Sequence, residues 1–201
     1  MARGKVESVE VKKLDVRKIN LKIEGDSPLI MHKWDEKAKK QMLDKQMKKA
    51  VVREAKDPEA QYLSSLYVLD AKKKVYGFPA DAFKAAAVRG GKSMGVTMTD
   101  ARGAFFVHGI YAEGEGRELV PLKGDVSMRE DMVKLETGVA DIRYRGQVEH
   151  WTADVTISYN ASVLSAEQIV NMFNAAGFGV GLGEWRPERN GMFGRFHVVT
   201  K

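Results

Sequence analysis

The strongest chemical signal in this chain is a run of glycines, arginines and aromatic residues between Gly179 and Val198. Glycines at 179, 181, 183, 191 and 194 bracket Trp185, Arg186 and Arg189, and Arg195 follows before an alternating segment. Glycine admits positive φ and lets another chain come close to its amides. Arginine brings a planar donor fork that stays charged, and tryptophan brings a stacking face. Such a loop suits a polyanion, above all a nucleic-acid strand. Amides near Gly181 and Gly183 approach phosphates, Arg186, Arg189 and Arg195 neutralise them, and Trp185 stacks on a base. The plainer reading is a long hairpin with its glycines at turns and its tryptophan folded onto the core.

A second candidate is Asp141-Ile-Arg-Tyr-Arg145. In an extended chain the alternation puts Arg143 and Arg145 on one side, and Ile142 and Tyr144 on the other. That arrangement reaches over a strand of nucleic acid, or it is an exposed hairpin in which Asp141 pairs with Arg143. Arg89-Gly-Gly-Lys-Ser93 is no P-loop, because Ala86 stands where the motif needs glycine and the segment reads as helix. The four histidines (His32, His108, His150, His197) have no paired spacing, so no metal site or cofactor is expected.

The elements that hold these residues follow from periodicity. Residues 16–24 read as a strand, and Gly25-Asp-Ser-Pro28 as a turn. From Asp35 to Arg53 a helix is expected, with Leu43, Met47, Ala50 and Val51 as its apolar stripe and lysines over the rest. Pro58 starts another short helix. Residues 80–88 form a helix ended by Gly90-Gly91. Residues 105–111 and 118–122 read as strands joined at Gly114 and Gly116. Residues 123–150 read as a polar, irregular excursion. Residues 151–159 are the cleanest strand, apolar at odd positions. Ser165-Ala-Glu-Gln168 matches a capping box for a helix with Ile169, Met172, Phe173 and Ala176 on one face, which Gly177 should stop. A strand over 192–199 ends the pattern. The order strand–helix–strand, excursion, strand–helix–strand is an α+β, ferredoxin-like or RRM-like plan in one domain over 1–201.

Bulk properties set limits on function. With 201 residues, 44% hydrophobic and 30% charged, the chain has the composition of a folded domain. No apolar run is long enough to span a bilayer, and Met1-Ala-Arg-Gly-Lys-Val lacks the apolar core of a secretion signal, so a cytoplasmic protein without membrane partners is expected. The absence of cysteine excludes disulfides and thiolate chemistry. Residues 1–56 hold 16 Lys and Arg against 9 Asp and Glu, a net +7, whereas the remainder is net −1. A basic segment on a neutral body suits a phosphate-bearing partner, or is simply a solvated lysine face.

Two motifs resemble the RAMP superfamily, the RRM-like proteins that include backbone subunits of CRISPR effector complexes. One is Gly181-Leu-Gly183, followed after a basic stretch by Gly191-Met-Phe-Gly194. The other is Gly77-Phe-Pro-Ala-Asp-Ala-Phe-Lys-Ala-Ala-Ala-Val88. The chain resembles in particular standalone phage-encoded relatives with elements like 140–145 and Gly183-Glu-Trp-Arg-Pro187. The resemblance implies a palm that binds single-stranded nucleic acid, subunits stacked in a helical filament, a helical insertion over about 28–76 and a thumb-like excursion over about 123–150. It lifts Lys84 to a phosphate contact, and it points to His32 or Asp26 as the group that a metal-independent ribonuclease would use.

The leading expectation is a sequence-tolerant binder of single-stranded DNA or RNA. It would assemble as a homo-oligomeric filament without catalysis, in the host cytoplasm and in replication or recombination if phage-encoded. The expected contacts are Lys84, Arg143, Arg145, Gly181, Gly183, Trp185, Arg186, Arg189 and Arg195. The alternatives are the ribonuclease, or a structural assembly protein that binds no nucleic acid.

Overall fold

A computed structural model describes residues 13–34, 36–49, 55–134 and 138–200. Its elements, in chain order, are β1 (Val16–Gly25), β2 (Leu29–Met31), α1 (Glu36–Gln46), α2 (Pro58–Ser64), β3 (Val68–Asp70), β4 (Val75–Pro79), α3 (Ala80–Gly91), α4 (Met98–Ala104), β5 (Phe105–His108), β6 (Ile110–Ala112), β7 (Arg117–Lys123), β8 (Val126–Lys134), β9 (Ala140–Val148), β10 (Thr152–Asn160), α5 (Ala166–Gly179) and β11 (Phe196–Val198). This is a mixed α+β chain with antiparallel sheets. The larger sheet runs β11-β1-β10-β7-β4-β3, with β5 also on β10 and β6 on β7, and the smaller one runs β2-β9-β8.

The core forms because strand alternation and helix stripes meet on one side of the larger sheet. Leu21 and Ile23 of β1 sit beside Ala153, Val155, Ile157 and Tyr159 of β10, while the even residues face away. Over them lie Phe83, Ala86, Ala87 and Val88 of α3, with Ile169, Met172, Phe173 and Ala176 of α5. Burying a phenylalanine or leucine fully is worth about 1.5–3 kcal/mol, so this layer supplies most of the driving force. Asp57 caps α2, accepting from the Ala60 amide at 3.1 Å. Ser165 and Gln168 cap α5 reciprocally, as the sequence predicts.

Several expectations need correction. The excursion over 123–150 is a regular hairpin, β8 paired with β9 from Val126↔Val148 to Lys134↔Ala140, and β2 extends it through Leu29↔Val148. Its strands escape an apolar–polar reading because one face carries Arg129, Asp131 and Arg145 where apolar residues would be expected. The insertion over 28–76 is only partly helical, since it contains β2, β3 and the start of β4. Gly177 does not end α5, which continues to Gly179. The last strand is 196–198 rather than 192–199, because the preceding residues stay in the loop. The strand expected over 105–111 breaks at Gly109 into β5 and β6, which pair with different neighbours. The apolar stripe does not reach the core: Leu43 of α1 and Met47 just after it are exposed. Asp35, Ala50, Val51 and Arg53 lie outside the described residues.

Candidate nucleic-acid interface

The start of the glycine-rich loop is a tightly bonded turn. The Gly181 amide donates to the Ala176 carbonyl at 2.8 Å, the Leu182 amide to Gly194 at 2.9 Å, and the Glu184 amide to Ile30 at 3.1 Å. Gly183 has φ +72°, and a Cβ there would fall 2.3 Å from the Ile30 carbonyl oxygen, so glycine is required where the loop lies against β2. Gly181 and the residues either side of Gly183 thus spend their donors inside the protein, not on a phosphate.

The arginines of the loop divide into two groups. Arg186 donates to Glu188 from Nε at 3.2 Å and Nη2 at 3.0 Å, and to the Gly183 carbonyl from Nη1 at 3.1 Å. The second oxygen of Glu188 takes Arg89 of α3 at 3.0 Å, so this carboxylate ties the loop to the helix. Arg189 ends the 3-10 turn Pro187–Arg189, is exposed, and has no side-chain hydrogen bond or ion pair among the described residues. Arg195 donates from Nε to the Met192 carbonyl at 3.3 Å and from its amide to Ser27 Oγ at 2.9 Å.

Trp185 has φ +50°, an uncommon conformation for a residue with a side chain. Its ring centre lies 6.1 Å from that of Phe193, and the guanidinium carbons of Arg129 and Arg145 lie 5.6 and 5.5 Å away. The tryptophan expected to stack on a base instead packs against two arginines of the hairpin. Between those arginines sits Asp131, 2.7 Å from Arg129 Nε and 3.6 Å from Arg145 Nη1. The hairpin also grips α2: the Tyr144 amide donates to Gln61 Oε1 at 2.9 Å, and the Gly146 amide to Ser65 Oγ at 2.8 Å.

Two cavities meet at His32. The smaller, of about 220 Å³, is lined by Arg89, Gly181, Gly183, Glu184 and Arg186 among others. The larger, of about 770 Å³, lies between α1, α2 and β9. Its charged lining is five cations (Lys33, Lys37, Lys56, Arg143, Arg145) against two carboxylates (Asp57, Asp141), and Trp34 and Tyr144 are its aromatic residues. Lys33 is bonded to Glu115 at 2.6 Å. Lys56 and Arg143 both bond Asp141, and that contact, led by Lys56, holds the Asp141 carboxyl below its ordinary value. Of the expected contacts, the larger cavity gathers Arg143 and Arg145, the smaller gathers Gly181, Gly183 and Arg186, and neither includes Trp185, Arg189, Arg195 or Lys84. Lys84 stands apart on α3, its ammonium 4.0 Å from the centre of the Phe106 ring and its pKa pushed down by burial. Sequence reading missed Lys33, Lys37, Lys56 and Trp34 as groove residues. The basic balance of residues 1–56 was their signal, and it also fits a solvated helix face.

His32 is held by Glu184, Nδ1 to Oε1 2.8 Å, and His197 by Asp26 at 2.7 Å, so His32 and Asp26 belong to separate pairs. The hydrogen bond with His32 is the main reason the Glu184 carboxyl lies below its ordinary 4.5. A carboxyl depressed by folding contributes stability that is complete above pH 4.5 and is lost as pH falls through the lower folded value. Glu184→Gln should therefore flatten the acid side of the melting-temperature profile between about pH 5 and pH 3. Parallel profiles for the variant and the parent would contradict this pairing. Among the described residues, no group of three or more histidine or carboxylate side chains could hold a metal ion, and no helix is long and apolar enough to cross a membrane.

No family model matches the chain, and no curated protein matches it. Among solved structures it is similar to Cmr6 from Pyrococcus furiosus at 11% sequence identity, over 92% of this chain and 98% of that one, with a TM-score of 0.43. A score of that size says nothing about chemistry, which has to come from this chain's own residues.

Proposed function

We propose that the protein binds single-stranded nucleic acid, DNA or RNA, with little regard to sequence, and coats it as a homo-oligomeric filament without a catalytic step. One observation carries this reading: the larger cavity holds five cations against two carboxylates, with Trp34 and Tyr144 also in its lining. Cations along a groove release counterions from a phosphate chain, and aromatic faces accept any base, a pairing that gives affinity without sequence readout. The strand order β11-β1-β10-β5 supports an RRM-like palm, since it places the first and third core strands side by side at the centre. The β8–β9 hairpin supports a thumb beside that palm. The exposed Met128, Met132, Val139 and Ile142 on the hairpin offer an apolar surface of the kind that contacts between copies would cover. With the resemblance to phage-encoded proteins, this reading suggests a role in replication or recombination.

The test is titration of a labelled, unstructured oligonucleotide at rising salt, paired with electron microscopy. Log affinity should fall linearly with log salt, by about 0.7 per neutralised phosphate, and ordered fibres should form only with oligonucleotide. Binding indifferent to salt, or no binding, refutes the groove; fibres without oligonucleotide favour the structural assembly protein.

A second reading has its own observation: His32 stands where the two cavities meet and is oriented by a carboxylate. An imidazole held in that way can take or give a proton at a ribose hydroxyl. Cleavage of labelled RNA in chelator, lost in His32→Ala, would establish the ribonuclease; intact RNA bound to the protein would remove it.

A further inference from the structure

Arg145 is the one groove cation that lies almost wholly inside the protein. It is 6% exposed, and its partner Asp131 is 5% exposed. Yet the pair is incomplete. Arg145 Nε and Nη1 and Asp131 Oδ2 are buried without a hydrogen-bond partner, and the closest approach between the two side chains is 3.6 Å. Arg129 meets Asp131 at 2.7 Å and Gln147 at 2.8 Å, so Asp131 is already served from its other side. Arg145 is therefore a buried guanidinium on the wall of a basic cavity, lying over Trp185 and only loosely held by its carboxylate. Buried donors left unmade are a standing cost that an arriving acceptor removes, and a guanidinium bonds phosphate oxygens with two donors at once.

We propose that Arg145 is the phosphate receptor of the groove: its guanidinium turns from Asp131 toward the cavity it lines, where an oxyanion of the nucleic-acid strand completes its hydrogen bonds in competition with Asp131. The proposal rests on the reading of the groove as a nucleic-acid site and adds which residue recognises phosphate and what restrains it. The competition sets two substitutions in opposite directions. Asp131→Asn keeps the shape and removes the competing charge, so affinity rises. Arg145→Lys keeps the charge but loses the planar fork, so affinity falls.

The experiment measures binding of one unstructured oligonucleotide, with a 5′-phosphate or a 5′-hydroxyl, to the parent protein, Asp131→Asn and Arg145→Lys, each checked for folding by circular dichroism. The expected result is about tenfold tighter binding in Asp131→Asn and about tenfold weaker binding in Arg145→Lys. Gains with both oligonucleotides assign the receptor to internal phosphates, and a gain confined to the phosphorylated one assigns it to a strand end. Parent-like affinity in both variants overturns the proposal and leaves the groove standing. No binding by the parent protein overturns the groove itself.

Discussion

Lys37→Glu combined with Arg143→Glu should weaken oligonucleotide binding by about a hundredfold at physiological salt and flatten its salt dependence. The two residues line the larger cavity from different elements, one on α1 and one on β9. The parent lining has five cations and two carboxylates; the double variant has three and four, so the sign of the groove reverses. Neither side chain is buried, and Asp141 keeps its bond to Lys56, so the fold should survive the change. Arg189→Glu is the informative companion. It puts the same kind of charge change on the glycine-rich loop outside both cavities, and it should leave affinity within about threefold. If Arg189→Glu abolished binding while the groove variant bound normally, the strand would lie along the loop and not in the groove.

The second large effect concerns folding, and it comes from two glycines two residues apart. A Cβ on Gly177 would fall 1.8 Å from the carbonyl oxygen of Phe196, where α5 lies directly against β11. The obstacle is backbone, which cannot swing aside as a flexible side chain can. Gly177→Ala should therefore cost about 3 kcal/mol or more, enough to lower the melting temperature of a chain this size by roughly 10 °C. A Cβ on Gly179 would meet nothing within 4 Å. Gly179→Ala should be neutral or gain up to about 1 kcal/mol, since alanine narrows the unfolded ensemble. Equal melting temperatures for the two variants would mean that α5 does not pack on β11 in this way.

The sequence showed the larger elements and hid the site for a physical reason. β1, β10, α3 and α5 are legible because each buries a regular stripe, and the period of the stripe identifies the element. The β8–β9 hairpin is not, because Arg129, Asp131 and Arg145 replace apolar residues on a face that packs against Trp185. Trp185 and Arg186 are conspicuous in the sequence but bonded within the protein. The groove draws its cations from the residues between β2 and α1, from α1, from the residues before α2, and from β9, and nothing local marks that Lys56 and Arg143 share one carboxylate. Gly181, Gly183, Gly191 and Gly194 signal close approach correctly, but what approaches is the protein itself: the backbone of β2 at Gly183, and the loop's own residues at the other three.

The pairing of β1 with β11 also bears on how the chain is made. Gly25 meets Phe196, and the Asp26–His197 bond spans 171 residues. β2 waits for β9, and β1 for β10 and β11, so both opening strands find their partners only in the final third of the chain. Contacts this distant close slowly. Until β9 and β10 have been made, Leu21, Ile23, Leu29, Ile30 and Met31 lack the strands they pair with, and apolar residues left bare in this way favour aggregation of the nascent chain.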